Sequence, residues 1–124
     1  MVQPYLKRVD EVGETALVFF AGEFSHAIRK GPMLGPSREV MGGLFLKEDI
    51  RPRTRSAAEI ALGRAAVKAA PEPCLYARID VIPGLDGAPV VLEFEATEPS
   101  LFFAHAPGSA TRYAKAILDW CKRE

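Results

Sequence analysis

Apolar and polar positions alternate along this chain at two different periods. TALVFF (15–20) is a continuous apolar run of strand length. EFSHAIRK (23–30) follows a turn at Ala21-Gly22-Glu23 and alternates. It puts Phe24, His26, Ile28 and Lys30 on one face and Ser25, Ala27 and Arg29 on the other. The two runs predict a hairpin over 15–30. His26, between Phe24 and Ile28, reads as a hydrogen-bonded strand residue. GPMLGPS (31–37), with two Gly and two Pro, predicts a loop, and REVMGGLFLKED (38–49) predicts two short strands broken at Gly42-Gly43. The opening QPYLKRV reads as extended.

The period then changes to that of a helix. Ser56 and Glu59 have capping-box spacing at the start of an Ala-rich segment that Pro71 and Pro73 terminate. Its expected inner side is Ala58, Leu62, Ala65 and Ala69. A final amphipathic helix carries Ala110, Tyr113, Ala114, Ile117, Leu118 and Cys121 at i, i+3, i+4 spacing, so Cys121 is expected to be buried. His105, in the loop before it, reads as a surface or capping residue. Between the helices lies LYARIDVIPGLDGAPVVLEFEATEPS (75–100), two apolar runs about the turn dipeptide Asp86-Gly87. The order of elements predicts a single α+β domain over 1–124, an antiparallel β-sheet with two main helices packed on one face.

Composition narrows the function. The 16 basic and 16 acidic residues cancel, which argues against a nucleic-acid binder. No apolar run is long enough to cross a bilayer and no signal segment opens the chain, so a cytoplasmic protein away from membranes is expected. Cys74 and Cys121 have no metal-site spacing.

The 75–100 hairpin holds the informative anomaly. Arg78, Asp80, Glu93 and Glu95 interrupt its apolar runs. Alternation puts all four on one face, and a turn at Asp86-Gly87 sets Asp80 opposite Glu93 and Arg78 opposite Glu95. Pro83 and Pro89 allow a longer turn, and a slip of one residue would turn the carboxylates away from their partners. Opposed carboxylates repel unless something compensates. A solvated charge ladder is one reading. A Mg²⁺ site, built from hard oxygen ligands without His or Cys, is the other.

These residues resemble the C-terminal metal-binding segment of the ATP-grasp ligases, in particular the branch of prokaryotic glutathione synthetase. Asp80 matches that segment's strand Asp, Glu93 its Glu, and Glu95 stands where the family has Asn. GETALVFFAGEFSHAIRKGP is similar to the family's upstream hairpin, with Glu14 and Lys30 at its acidic and basic positions. SREVMGG resembles the family's Arg-containing glycine-rich loop, with Arg38 as the Arg, and SATRYAKAILDW resembles its terminal helix. The resemblance implies ATP and Mg²⁺ (or Mn²⁺) as cofactors, and amide-type bond formation through an acyl phosphate. It implies Asp80, Glu93 and Glu95 as metal ligands, Glu14 and Lys30 as nucleotide contacts, and Arg78 and Arg38 as catalytic cations. It also implies a small carboxylate and an amine as substrates. The family's N-terminal substrate domain and small ATP-binding lobe have no counterpart in the 124 residues. Homo-oligomerisation, or pairing with the missing N-terminal portion, is therefore expected. A non-catalytic module that keeps the fold is the alternative.

Overall fold

A computed structural model describes residues 4–31 and 50–123. The chain runs α1 (Val9–Val12), β1 (Glu14–Phe20), β2 (Glu23–Lys30), β3 (Ile50–Pro52), α2 (Ala57–Lys68), β4 (Tyr76–Pro83), β5 (Pro89–Glu95) and α3 (Ser109–Cys121), with a 3₁₀ turn at Phe103–His105. The strands form one sheet in the order β3-β2-β1-β4-β5, and every pairing is antiparallel. The expected α+β class with an antiparallel sheet is the one observed. The opening read as extended has no regular structure over residues 4–6 and turns at Lys7-Arg8 into the single helical turn α1, which the sequence pattern did not indicate.

β1 is buried along its whole length, as its unbroken apolar run predicts for a central strand. It turns into β2 through Ala21-Gly22, both at positive φ, which gives a tight two-residue hairpin loop. A bulge follows: Val18 pairs with His26 and Phe19 with Phe24, so Ser25 is the extra residue. The bulge corrects strict alternation. Phe24 joins the Phe19 side, where the two rings meet edge to face at 5.7 Å, while His26, Ile28 and Lys30 stay on the opposite side.

One face of the sheet carries the core of Leu17, Phe19, Ala27, Ala77, Ile79 and Val81. α2 covers it with Leu62, Ala66 and Val67. The capping box is present: Ser56 Oγ accepts from the Glu59 amide, and Glu59 Oε2 accepts from the Ser56 amide at 2.7 Å. The helix is rotated from the expected alanine stripe, with Glu59 and Gly63 buried and Ala58, Ala65 and Ala69 exposed. Two contacts set that rotation. Thr15 Oγ1 donates to Glu59 Oε1 at 2.8 Å, drawing the carboxylate inward. Gly63 has no Cβ, and one there would lie 2.9 Å from both Leu17 Cδ1 and Phe19 Cζ.

α3 meets the sheet differently from α2. Tyr113 packs against Phe20, Tyr76 and Phe103, the first at 4.9 Å between ring centroids, and Phe20 lies on the face away from α2. Ser109 is buried, and Tyr113, Ala116 and Trp120 on the same side of the helix are half-buried. Of the stripe expected to be buried, Tyr113 turns inward, while Ala110, Ala114, Ile117, Leu118 and Cys121 are exposed, with Leu118 63% accessible and the Cys121 thiol outside. The Tyr113 ring buries more area than the alanines beside it, and so decides which side turns inward.

Candidate functional site

The sheet face away from α2 carries the charges. The β4–β5 turn spans 84–88, closed by Gly84 N–H to Ala88 O and Gly87 N–H to Gly84 O. This loop is longer than a two-residue Asp-Gly turn. Near the turn Val81 pairs with Val91, yet Asp80 pairs with Glu93 and Arg78 with Glu95. The bulge between Asp80 and Val81 leaves Leu92 as the extra residue on β5 and restores the charged pairing.

β1 and β2 bring the other two charges. Glu14 and Lys30 are paired neighbours, and Ala16 of β1 lies opposite Asp80 of β4. Asp80 is fully buried (0% exposed) and is held from both sides. Lys30 Nζ lies 2.6 Å from Oδ2, and Arg78 grips the carboxylate with Nε to Oδ1 at 2.9 Å and Nη2 to Oδ2 at 3.0 Å. Lys30 Nζ also lies 3.0 Å from Glu14 Oε2. Arg78 Nη2 contacts the Glu95 carboxylate and lies 3.9 Å from Glu93. Burial alone would push the Lys30 ammonium down; hydrogen bonds and charge from Asp80 and Glu14 outweigh it and raise the pKa above 10.5. Burial likewise opposes the Arg78 charge, and Asp80, Glu95 and Glu93 outweigh it, so Arg78 is also raised.

The structure thus joins six of the seven sequence-derived residues in one network. Arg38 lies outside the described residues. Four carboxylates surround two cations, a formal net charge of −2. Among the described residues no three His, Cys, Asp or Glu side chains are arranged as a metal cage. The donor set nevertheless fits a hard divalent cation: all oxygen, net negative, with Glu93 55% exposed at its side chain. Asp80 is the most occupied of the three expected ligands and Glu93 the most open.

A strap after β5 borders this face, and the sequence had no sign of it. Arg78 Nη1 donates to Ser100 O at 3.5 Å, and the Arg78 guanidinium carbon lies 5.7 Å from the Phe102 ring centroid. His26 Nε2 donates to Leu101 O at 2.8 Å, which fixes the tautomer. His26 Nδ1 then accepts from Ser25 Oγ at 2.9 Å, and Ser25 Oγ accepts from Arg112 Nε at 3.1 Å. The strand reading of His26 is the one observed. His105 ends the 3₁₀ turn, half-buried. Phe102 itself is in the left-handed region at φ 52, ψ 38, which costs a non-glycine residue roughly 1–2 kcal/mol.

His26 yields a pH prediction. Burial, assisted by Arg112 and opposed by the Leu101 carbonyl, lowers its pKa below 6.5. The unfolded chain therefore binds more protons than the fold between the folded value and 6.5. Stability from neutral His26 is complete above 6.5 and falls as pH drops through that window. Urea midpoints of the wild type against His26→Gln, followed from pH ~7.5 to ~5, should converge as pH falls. A constant difference would contradict the network.

The antiparallel sheet and its helices share the fold of solved ATP-grasp ligases, and the chain is also similar in sequence to a cycloserine biosynthesis protein. Over 98% of its length it is 38% identical to the cycloserine biosynthesis protein DcsG of Streptomyces lavendulae, matching 42% of that protein. The crystal structure of D-cycloserine synthetase DcsG superposes with a TM-score of 0.80 at 34% identity, over 94% of this chain and 41% of that one. Two further structures share the fold at lower identity. ATP-grasp ligase PsnB, solved with a minimal precursor, Mg and ADP, has a TM-score of 0.59 at 17% identity, over 85% of this chain and 32% of that one. D-alanine–D-alanine ligase from Bacillus anthracis, solved with ATP, has 0.52 at 22%, over 84% and 35%. No family model matches the chain. It spans about two fifths of the length of the curated relative it matches.

Proposed function

We propose that the chain is the metal-binding, catalytic lobe of an ATP-dependent carboxylate–amine ligase, forming an amide-type bond through an acyl phosphate. The observation that carries this reading is the carboxylate network of net charge −2 on the sheet face opposite α2, in a chain similar to a D-cycloserine synthetase. Asp80, Glu93 and Glu95 would hold Mg²⁺ (or Mn²⁺). When bound, that ion neutralises phosphate charge and polarises the phosphoryl oxygens. Lys30 is fixed between Glu14 and Asp80 and orients against the nucleotide phosphates as a permanent cation. Arg78, locked by Asp80, presents charge to the acyl-phosphate oxygens without needing to reorganise. Arg38 is assigned to the same oxygens by resemblance alone, and Glu14 to the nucleotide.

The reading includes a completing portion that supplies the rest of the nucleotide site and both substrate pockets. Exposed apolar surface supports it. Val90, Val91, Leu92 and Phe94 on the edge strand β5, and Ile117 and Leu118 on α3, are accessible. The remaining portion of a ligase, or a second copy, would cover them. A cytoplasmic location accords with the substrates. No described helix is long and apolar enough to cross a membrane.

One observation favours a second reading. Asp80 is held by Arg78 and Lys30 at 2.6–3.0 Å, as in a closed ion-pair network of a non-catalytic module. Calorimetry with Mg²⁺ and ATP separates the two. The ligase-lobe reading expects Mg²⁺-dependent ATP binding that Glu93→Ala weakens by roughly 10–100-fold. Absence of Mg²⁺-dependent binding in the wild type favours the module.

A further inference from the structure

We propose that Phe102 is a positioning residue for Arg78, aiming the guanidinium N–H that remains for a substrate oxyanion. The inference rests on the ligase reading for the identity of that oxyanion. The geometry itself does not depend on that reading. A guanidinium has five N–H donors. Arg78 Nε is taken by Asp80 Oδ1, the two on Nη2 are taken by Asp80 Oδ2 and Glu95, and one on Nη1 is taken by Ser100 O. The second hydrogen on Nη1 has no partner among the described residues. It shares its nitrogen with the hydrogen held by the strap, so the strap sets its direction.

Three consecutive strap residues each engage a side chain of the sheet. The Ser100 carbonyl holds Arg78, the Leu101 carbonyl holds His26, and the Phe102 ring lies against the Arg78 guanidinium at 5.7 Å. The Ser100 contact is long, at 3.5 Å, and fixes little by itself. The ring supplies the second restraint, a cation–π contact beside a half-buried aromatic. Phe102 makes this contact from a left-handed backbone, φ 52. Glycine would take that backbone without strain but would bring no ring. The strained conformation is therefore kept alongside a contact that only the side chain provides.

The test uses the full ¹⁵N-labelled chain. The Arg78 Nε–H resonance is assigned by its loss in Arg78→Lys. Phe102→Gly and Phe102→Leu are expected to shift it and to speed its exchange with water about tenfold. Phe102→Tyr, which keeps the ring, should leave it in place. Phe102→Gly should melt no lower than Phe102→Leu, because it relieves the backbone. If Phe102→Gly fails to fold, Phe102→Leu decides. An unchanged Arg78 resonance in the folded variants lacking the ring overturns the proposal. Titration with Mg²⁺ and ATP reads the functional half, with weaker binding expected for Phe102→Leu and wild-type binding for Phe102→Tyr. A wild type that binds no nucleotide removes the ligase reading, while the resonance still decides whether Phe102 positions Arg78.

Discussion

Asp80→Ala is expected to lose about 3–5 kcal/mol of unfolding free energy, measured by urea denaturation near neutral pH. Asp80 is fully buried and, among the described residues, is the acceptor that the two buried cations share. Removing it leaves Lys30 with Glu14 and Arg78 with Glu95, each short of a partner in a poorly solvated place. The Arg78 guanidinium cannot escape by losing its proton, and Lys30 is left with only Glu14 to oppose the burial that pushes its ammonium down. The Lys30 contribution is complete below 10.5 and fades as pH rises through its higher folded value, so the loss persists across the whole neutral range. Asp80→Asn keeps the shape and removes only the charge, and should fall between wild type and alanine. A loss under about 1 kcal/mol would mean that the network is solvated, as for a surface ion pair.

Phe19→Ala should cost about 3–5 kcal/mol by the same measurement, for a different reason. Phe19 is fully buried, stacks edge to face on Phe24, and lies under Gly63 of α2. Truncation removes the transfer energy of the ring and leaves a cavity that a helix tied at Thr15–Glu59 cannot simply collapse into. The close approach also predicts coupling. Gly63→Ala alone brings a methyl to 2.9 Å of Phe19 Cζ and should destabilise the chain despite alanine's better helix propensity. In Phe19→Leu that atom is gone. The double variant Phe19→Leu/Gly63→Ala should therefore lose less than the two single changes summed. Simple additivity would show that the helix shifts instead of clashing.

The parts of the fold visible in the sequence are those that follow from local chemistry. The Ser56–Glu59 capping box needs no tertiary information, and it starts α2 as expected. The unbroken TALVFF run identifies a central strand because only a doubly covered strand is apolar on both faces. The pairing of Asp80 with Glu93 was legible for a subtler reason. The turn is longer than Asp86-Gly87 implied, and the bulge at Leu92 absorbs the slip. Where tertiary contacts override the pattern, the sequence misleads. The bulge at Ser25 moves Phe24 to the opposite face from His26. Glu59 is pulled under α2 by Thr15, and Tyr113 turns α3 so that Leu118 and Cys121 face outward. The strap has no sequence signature, since left-handed φ at Phe102 is held by contacts distant in the chain. The candidate site was read mostly by resemblance. Alternation put its four hairpin charges on one face, but only the folded sheet shows Lys30 and Glu14 closing on Asp80.

The proposed ligase lobe requires this charged face to hold a divalent cation. Mn²⁺ titrated into the ¹⁵N-labelled chain tests it directly, because paramagnetic broadening reports location. A cation bound there is expected to cause early, selective loss of the backbone signals of Arg78, Asp80, Glu93 and Glu95, reversed by excess Mg²⁺. Broadening centred elsewhere, on α3 or α2, or no selective broadening in the presence of ATP, would contradict it.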